Sequence, residues 1–146
     1  MNIIGIAEDI EEAMAYLKKE FEMKDLGKTK FYLGLQLEHL PKGIFVHQST
    51  YTKRVHEKFN MGKCHPLKTP MVVRSDKYPF RSKVDDEEVL GCEVPYLSSI
   101  GALMYLANYT RPNTAFVVNL LARYSAAPTK RHWVGMKTIL RYLKGT

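Results

Sequence analysis

The residues with the clearest chemical meaning are seven cations in the last quarter of the chain. The 146-residue sequence has a formal net charge of +7, while residues 1–60 and 61–110 each hold equal numbers of acidic and basic side chains. Residues 111–146 contain no aspartate or glutamate and seven basic residues, Arg111, Arg123, Lys130, Arg131, Lys137, Arg141 and Lys144. Because an acid-free basic segment attracts phosphate, this distribution favours a nucleic-acid partner.

Four of these cations share one face of a predicted helix. At about 100° per residue, Lys130, Lys137, Arg141 and Lys144 fall within roughly 60° of one another. The adjacent face is apolar and consists of Trp133, Met136, Ile139, Leu140 and Leu143. This pattern suits a helix laid along a phosphate backbone, but a solvated amphipathic helix whose lysines maintain solubility would show it too. The stripe alone leaves both alternatives open, and the absence of acids favours the first.

Two other groups of residues could in principle bind a metal ion, but the sequence supports neither strongly. Cys64-His65 lies near His56 in sequence, but without a second pair of ligands a zinc site is not expected. Glu8 and Asp9 stand at the start of a predicted helix, where a carboxylate more often accepts backbone N–H bonds than binds a metal. The sequence therefore predicts no catalytic and no metal-ligating residue in this chain.

The first part of the chain predicts strands as well as a helix. Ile3–Ile6 looks like the end of a buried strand, and a capping-box pattern at Asp9 opens a helix. Alternating apolar residues over 31–38, followed by Pro-Lys-Gly at 41–43, predict a β-hairpin. Gly34 falls within the first predicted strand, where a glycine adds no packing.

The remainder predicts helices, so the fold class is α+β. A helix is expected from Ser49 or Thr50 to Asn60, with Lys53 and Arg54 off its apolar face. Residues 64–95 are proline-rich, and a loop of this length is typical of a connector between two lobes. Three more helices are predicted, over about 96–108, 114–126 and 129–144. The predicted domains are 1–63, the connector 64–95, and a helical lobe 96–146.

Five segments then occur in a recognisable collinear order. They are LKKEFEMKDLG (17–27), KFYLGLQLEHLPKGIFVHQSTY (30–51), HPLKTPM (65–71), PYLSSIGALMYLANYTRPN (95–113) and RYLKGT (141–146). Together they resemble the reverse transcriptase of copia-type LTR retrotransposons, especially the plant branch. The resemblance implies the end of a polymerase palm, with a strand, a helix and a primer-grip-like hairpin. A mainly α-helical thumb and connection lobe would follow.

The resemblance also implies roles for individual residues. Tyr32 and Gly34 would belong to the primer grip, where a glycine lets the backbone approach a sugar-phosphate or allows a bulge. Relief of crowding against a neighbouring helix is the alternative for Gly34. The expected partner is RNA–DNA or duplex nucleic acid, contacted by Tyr32, Gly34, Lys53, Arg54, Lys130, Arg131, Lys137, Arg141 and Lys144.

Catalysis in this family requires groups that the sequence does not supply. Nucleotidyl transfer needs carboxylates that hold two Mg²⁺ ions, and the family carries two of them in a Tyr-X-Asp-Asp hairpin just upstream of the segment matching Ile3–Gly5. We therefore expect a fragment that lacks this hairpin and the ribonuclease H region, with no cofactor of its own. It would contact primer-template and catalyse only with the missing upstream half. A non-enzymatic nucleic-acid-binding remnant and a decayed transposon product without a selected role are the alternatives.

Composition agrees with a globular protein without a membrane partner. Apolar residues make up 45% and charged residues 25% of the chain. No apolar run approaches the length of a membrane span, and the first residues lack the pattern of a signal peptide. An intracellular location is expected, in a compartment that the sequence does not define.

Overall fold

The computed structural model describes residues 3–71 and 87–146. Within them the chain has a three-stranded antiparallel sheet and several helices, which confirms the predicted α+β class. The chain divides into two compact units, residues 1–46 and 47–146. The division falls after Val46, whereas the sequence placed the first boundary after residue 63. The difference arises because the helix that follows the hairpin shares a core with the C-terminal helices.

The first unit begins with helix α1, Ala7–Glu20. Its N-cap residue is Ile6, which makes no side-chain cap, so the predicted capping box at Asp9 is wrong. Glu8 and Asp9 lie instead in the first turn, where carboxylates complement the positive end of the helix dipole. The predicted strand at residues 3–6 is also wrong, because these residues form no strand and the side chain of Ile4 is 92% exposed.

Three short strands follow in the order β1, β2, β3. They are β1 Phe31–Tyr32, β2 Leu35–Leu40 and β3 Gly43–His47. Tyr32 pairs directly with Leu35, so Leu33 and Gly34 form a two-residue turn between β1 and β2. The φ angles of Leu33 and Gly34 are 48° and 79°, and both are positive as in a type I′ hairpin turn. Gly34 is therefore a turn residue and not a mid-strand residue, and the left-handed backbone explains why glycine suits the position.

The described residues of the first unit lack a buried core. None of residues 3–46 is buried, and apolar side chains on both faces of β3 are solvent-exposed, including Ile44 at 57% and Phe45 at 52%. A sheet with both faces uncovered has no packing partner within this unit. The small sheet is thus held by its strand pairing and turns more than by apolar burial.

The second unit contains four α-helices and a short 3₁₀ turn, Pro112–Thr114. The helices are α2 Ser49–Lys58, α3 Tyr96–Tyr109, α4 Ala115–Ala122 and α5 Lys130–Lys144. The three predicted C-terminal helices are confirmed, although α4 ends four residues earlier than predicted. α3 packs against α4, and α5 packs against both. Their shared core is formed by Val55, Phe59, Met61, Tyr96, Ile100, Leu103, Leu106, Val117, Val118, Leu121, Met136, Ile139, Leu140 and Leu143.

A buried tyrosine joins α3 to the end of α4. The Tyr96 hydroxyl donates a hydrogen bond of 2.9 Å to the carbonyl oxygen of Leu121. Burial, with a smaller contribution from the nearby Tyr124 phenol, raises the pKa of Tyr96 well above its ordinary value. The hydroxyl therefore remains a donor at physiological pH, and the buried carbonyl keeps its partner.

The segment predicted as a connector belongs to the second unit at both of its described ends. The Leu67 N–H donates to the carbonyl of Arg141, and the Leu90 N–H donates to the carbonyl of Pro128. Val89 also forms a β-bridge with Thr129. These contacts make the segment a loop within one unit, which differs from the predicted link between two lobes. Its middle, residues 72–86, lies outside the described residues.

None of the helices in the described ranges is both long enough and apolar enough to cross a membrane.

Candidate nucleic-acid interface

The outer side of α5 carries the cations that the sequence singled out. We call Lys130, Lys137, Arg141 and Lys144 the basic face. The adjacent side of the helix is buried and is formed by Met136, Ile139, Leu140 and Leu143, each at most 3% exposed. Since this apolar side fixes the rotation of the helix, the basic face is directed away from the core.

The start of α5 is fixed by a capping box with an unusual third residue. Thr129 is the N-cap, and its backbone N–H donates to Nδ1 of His132 at 3.1 Å. The Thr129 side chain is bonded in return to the backbone of His132. The imidazole of His132 stacks on the ring of Tyr124, with the ring centroids 4.2 Å apart. Histidine here does what glutamate or glutamine does in the usual capping box.

Helix α2 is joined to α5 by one buried side chain. Nδ1 of His56 lies 2.8 Å from the carbonyl oxygen of Thr52, and Nε2 lies 2.8 Å from that of Leu140. His56 is 6% exposed. Beyond it, Asn60 has a φ of 56°, and the Met61 N–H reaches back to the carbonyl of His56 at 2.7 Å. This is a Schellman ending, which turns the chain sharply after α2.

The C-terminal half of the basic face holds a loop against the helix. Nε of Arg141 donates to the carbonyl oxygen of His65 at 2.9 Å. Nζ of Lys144 donates to the carbonyl oxygen of Gly62. We call residues 62–67 the docked loop. Its carbonyl oxygens accept hydrogen bonds from Arg141 and Lys144, two of the cations that the sequence predicted to contact nucleic acid.

Arg131 also has an intramolecular partner. Its guanidinium forms an ion pair with the carboxylate of Glu87, and its side chain is 10% exposed. Glu87, in the acidic run at 85–88, thus binds the start of α5. The Asp85 and Asp86 positions lie outside the described residues. Arg131 is thus largely buried in an ion pair, and its contact with nucleic acid stays a prediction.

Two motif segments far apart in the sequence meet at the docked loop. Gly145, in RYLKGT, lies so close to the HPLK segment that a Cβ atom there would be 3.1 Å from Cβ of Pro66. The same atom would be 3.3 Å from the carbonyl oxygen of Leu67. A glycine at this position therefore permits the close approach of two backbones.

Replacing Gly145 by alanine is expected to lower the free energy of unfolding by about 1 kcal/mol, because the new methyl group must displace the docked loop. Urea denaturation followed by tryptophan fluorescence measures the effect. The matched control is Gly101→Ala in α3, where an added Cβ meets open space. That change is expected to raise stability by about 0.5–1 kcal/mol through helix propensity. Equal effects of the two substitutions would contradict the close approach at Gly145.

Two cations that the sequence did not single out lie in and next to the docked loop. Lys63 lies between Gly62 and His65, Lys68 directly follows Leu67, and both are exposed. Helical periodicity could not find them because they lie in a loop. Their only sequence signal is their position within and beside the HPLK segment.

The other predicted contact residues are solvent-accessible. Lys130 and Lys137 are exposed on α5, and Nζ of Lys137 lies 5.6 Å from the centroid of the Trp133 ring. Lys53 and Arg54 are exposed on α2. Tyr32 (45% exposed) and Gly34 belong to the first unit, at the hairpin described above. The structure thus brings α2, α5 and the docked loop together in one unit, and describes the hairpin separately.

Comparison with known proteins connects this arrangement to an enzyme family. Residues 3–73 match the family model described as reverse transcriptase (RNA-dependent DNA polymerase). The chain is 37% identical over 134 residues to the Retrovirus-related Pol polyprotein from transposon TNT 1-94 of Nicotiana tabacum, covering 89% of this chain and 10% of that protein. It is 32% identical over 141 residues to the polyprotein from transposon RE2 of Arabidopsis thaliana, covering 94% and 9%.

The chain belongs to the reverse transcriptase family of copia-type retrotransposons. The resemblance drawn from the five segments is confirmed. An uncharacterized mitochondrial protein of Arabidopsis thaliana is also 32% identical over 130 residues, covering 89% of this chain and 51% of that protein. The chain thus spans about a tenth of the length of the Pol polyproteins and about half of the mitochondrial protein. No solved structure matches.

The described residues of this reverse transcriptase chain do not fit a two-magnesium centre. Within residues 3–71 and 87–146 no three His, Cys, Asp or Glu side chains are grouped so that they could hold a metal ion. Glu8 and Asp9 are exposed in the first turn of α1. We therefore assign no step of nucleotidyl transfer to these residues, and consider what the basic surfaces can bind.

Proposed function

We propose that this reverse transcriptase chain holds RNA–DNA or duplex nucleic acid during RNA-directed DNA synthesis, and that Lys130 and Lys137 on α5 contact backbone phosphates. The observation that carries the proposal is the exposure of these two lysines on the outer side of a helix whose other side is buried. They lie in a stretch of 36 residues, 111–146, without a carboxylate. Phosphate binding by such a surface is strongly favoured by counterion release.

The rigidity of α5 supports this role. The helix is capped at Thr129, tied to α2 through His56, and held at its C-terminal end by the docked loop. A basic helix fixed at both ends presents its cations without a large loss of conformational entropy on binding. Arg141 and Lys144 contribute mainly by holding the docked loop, with Lys63 and Lys68 as further phosphate contacts.

The hairpin of the first unit is the proposed primer grip. The turn at Leu33–Gly34 exposes Leu33 at 66% and places a residue without a side chain beside it. Tyr32, next to the turn, is also accessible. A tight, protruding turn of this kind suits close approach to a sugar-phosphate backbone. In this proposal the chain positions primer and template, and carboxylates outside its described residues carry out the chemistry with Mg²⁺.

Removing the two exposed lysines of α5 tests the proposal. The double variant Lys130→Ala/Lys137→Ala is expected to bind a fluorescein-labelled RNA–DNA hybrid roughly tenfold more weakly at low salt, as measured by fluorescence anisotropy. The matched control is Lys19→Ala/Lys24→Ala, which removes the same charge from exposed positions in the first unit. Equal losses in both variants would show a net-charge effect and contradict a specific role for α5. Absence of binding by the unmodified chain would refute the function itself.

A further inference from the structure

Three tyrosines form a contiguous surface where side chains of α2 and α3 meet. The ring centroids of Tyr51 and Tyr105 are 4.8 Å apart with the planes at 74°, an edge-to-face contact. Those of Tyr105 and Tyr109 are 4.9 Å apart with the planes at 50°. We call these three residues the tyrosine ladder. They lie at the rim of the helical unit and outside its cluster of buried residues.

The tyrosine ladder is accessible from one end. Tyr109 is 52% exposed, while Tyr51 and Tyr105 are each partly buried. Burial, with a smaller contribution from Tyr105, raises the pKa of the Tyr51 phenol, so this ring remains neutral at physiological pH. The inner rings thus support an exposed outer ring in a fixed position, which is the arrangement expected of a stacking platform.

Positive charge runs alongside the tyrosine ladder. At about 100° per residue, Tyr51, Arg54 and Lys58 fall within about 60° of one another on α2. Arg54 and Lys58 are exposed, and Nζ of Lys58 donates to Oγ of Ser98 on α3 at 2.7 Å. Because Tyr51 contacts Tyr105 while Lys58 contacts Ser98, the two helices run antiparallel. Lys58 therefore lies about 10 Å along the helix from Tyr51.

Negative charge is absent from the α3 side of this surface. The α3 sequence, YLSSIGALMYLANY, contains no ionisable group other than its tyrosines. Glu57 of α2 lies about 120° around the helix from Tyr51, about 100° from Lys58 and about 60° from Arg54. The surface therefore combines π faces with two cations and has this one carboxylate at the edge of its α2 side. Aromatic rings beside cations are the combination that proteins use for unpaired nucleic acid strands.

We propose that the tyrosine ladder, with Arg54 and Lys58, binds an unpaired single strand of nucleic acid, such as the template beyond the duplex. A base stacks on the exposed ring of Tyr109, and the phosphates follow Arg54 and Lys58 along α2. Stacking of this kind is tolerant of base identity, because every base has a π face. The inference rests on the nucleic-acid-binding function proposed above and extends it to a second surface with a different substrate class.

Comparing two strands of equal charge separates stacking from phosphate attraction. The unmodified chain is expected to bind a labelled 12-nucleotide oligo-dT at least about fivefold more tightly than an abasic strand of the same length, as measured by anisotropy. Tyr109→Leu keeps an apolar side chain but removes the ring, and is expected to abolish this preference while leaving abasic binding unchanged. Tyr109→Phe keeps the ring and is expected to keep the preference. Circular dichroism melts confirm that both variants fold.

The outcomes distinguish this inference from the proposed function. Equal binding of oligo-dT and the abasic strand by the unmodified chain would overturn the stacking site and leave the duplex-binding role intact. A preference that survives Tyr109→Leu would also overturn it. Lys130→Ala/Lys137→Ala is expected to weaken binding of the oligo-dT and binding of the abasic strand to the same degree. If size-exclusion chromatography showed a dimer that Tyr109→Leu dissociates, the surface would bind a second copy of the chain and the inference would be wrong.

Discussion

Replacing Phe59 by alanine is expected to lower the free energy of unfolding of the helical unit by about 3–5 kcal/mol. Phe59, directly after α2, is 6% exposed, and its ring packs edge to face on Trp133 of α5 with the centroids 6.5 Å apart. Removing the ring leaves a cavity between α2 and α5 that the surrounding helices fill only partly. Since Trp133 is the only tryptophan, its fluorescence in a urea titration reports this core directly.

A second phenylalanine provides the matched control. Phe45 lies on β3 and is 52% exposed. Phe45→Ala is expected to change the tryptophan-detected unfolding free energy by no more than about 0.5 kcal/mol. If Phe59→Ala lowered the free energy of unfolding as little as Phe45→Ala does, α2 would not share a core with the C-terminal helices. The division of the chain after Val46 would then be wrong.

Replacing His56 by alanine is expected to lower the same free energy by about 2–3 kcal/mol. The imidazole is buried and places both ring nitrogens against backbone carbonyl oxygens, one on α2 and one on α5. Its loss removes the hydrogen bond that the ring N–H donates to one of these carbonyls, and leaves a cavity in place of the ring. The urea titration used for Phe59 measures the change.

His65 offers a control of the same residue type. Its side chain is exposed, and only its backbone carbonyl takes part in holding the docked loop. The free energy of unfolding of His65→Ala is expected to stay within about 0.5 kcal/mol of that of the unmodified chain. Similar losses for the two histidines would indicate that the imidazole of His56 does not join α2 to α5.

Most of the helices were predictable because their apolar faces recur with helical spacing. Met136, Ile139, Leu140 and Leu143 of α5 are buried as their angular positions indicated, and Trp133 is partly buried. The helix starts at Lys130, directly after its N-cap residue Thr129. What periodicity could not decide is which partner the apolar face of α2 packs against. Val55 and Phe59 would suit a sheet or a helical core equally well, and only the tertiary contacts place them in the latter.

The predicted hairpin turn at 41–43 is present between β2 and β3, but the strand before it is divided by a second turn that the pattern did not predict. Apolar residues alternate from Phe31 to Leu37, which predicted one continuous strand. A two-residue turn at Leu33–Gly34 breaks this alternation, because Tyr32 pairs directly with Leu35, and Phe31 pairs with Gln36 on the face opposite Leu35 and Leu37. The positive φ of Gly34 identifies the turn, and the sequence signal for it was the glycine itself.

The candidate interface was predictable in part. Helical spacing placed Lys130 and Lys137 on one face, and both are exposed there. It could not show that Arg141 bonds to the carbonyl of His65, 76 residues away in sequence, or that Arg131 pairs with Glu87. Such contacts depend on where a loop returns to a helix, which local sequence does not determine. Long side chains that satisfy carbonyls and carboxylates look identical in sequence to those that bind phosphate.

Contact between the exposed lysines of α5 and backbone phosphates should make binding to an RNA–DNA hybrid depend on salt concentration. We expect the logarithm of the association constant to fall linearly with the logarithm of salt concentration. For Lys130→Ala/Lys137→Ala the slope is expected to be less steep by about 2, close to one unit for each lost phosphate contact. Identical slopes for the variant and the unmodified chain, or an affinity that does not change with salt, would contradict phosphate contact by Lys130 and Lys137.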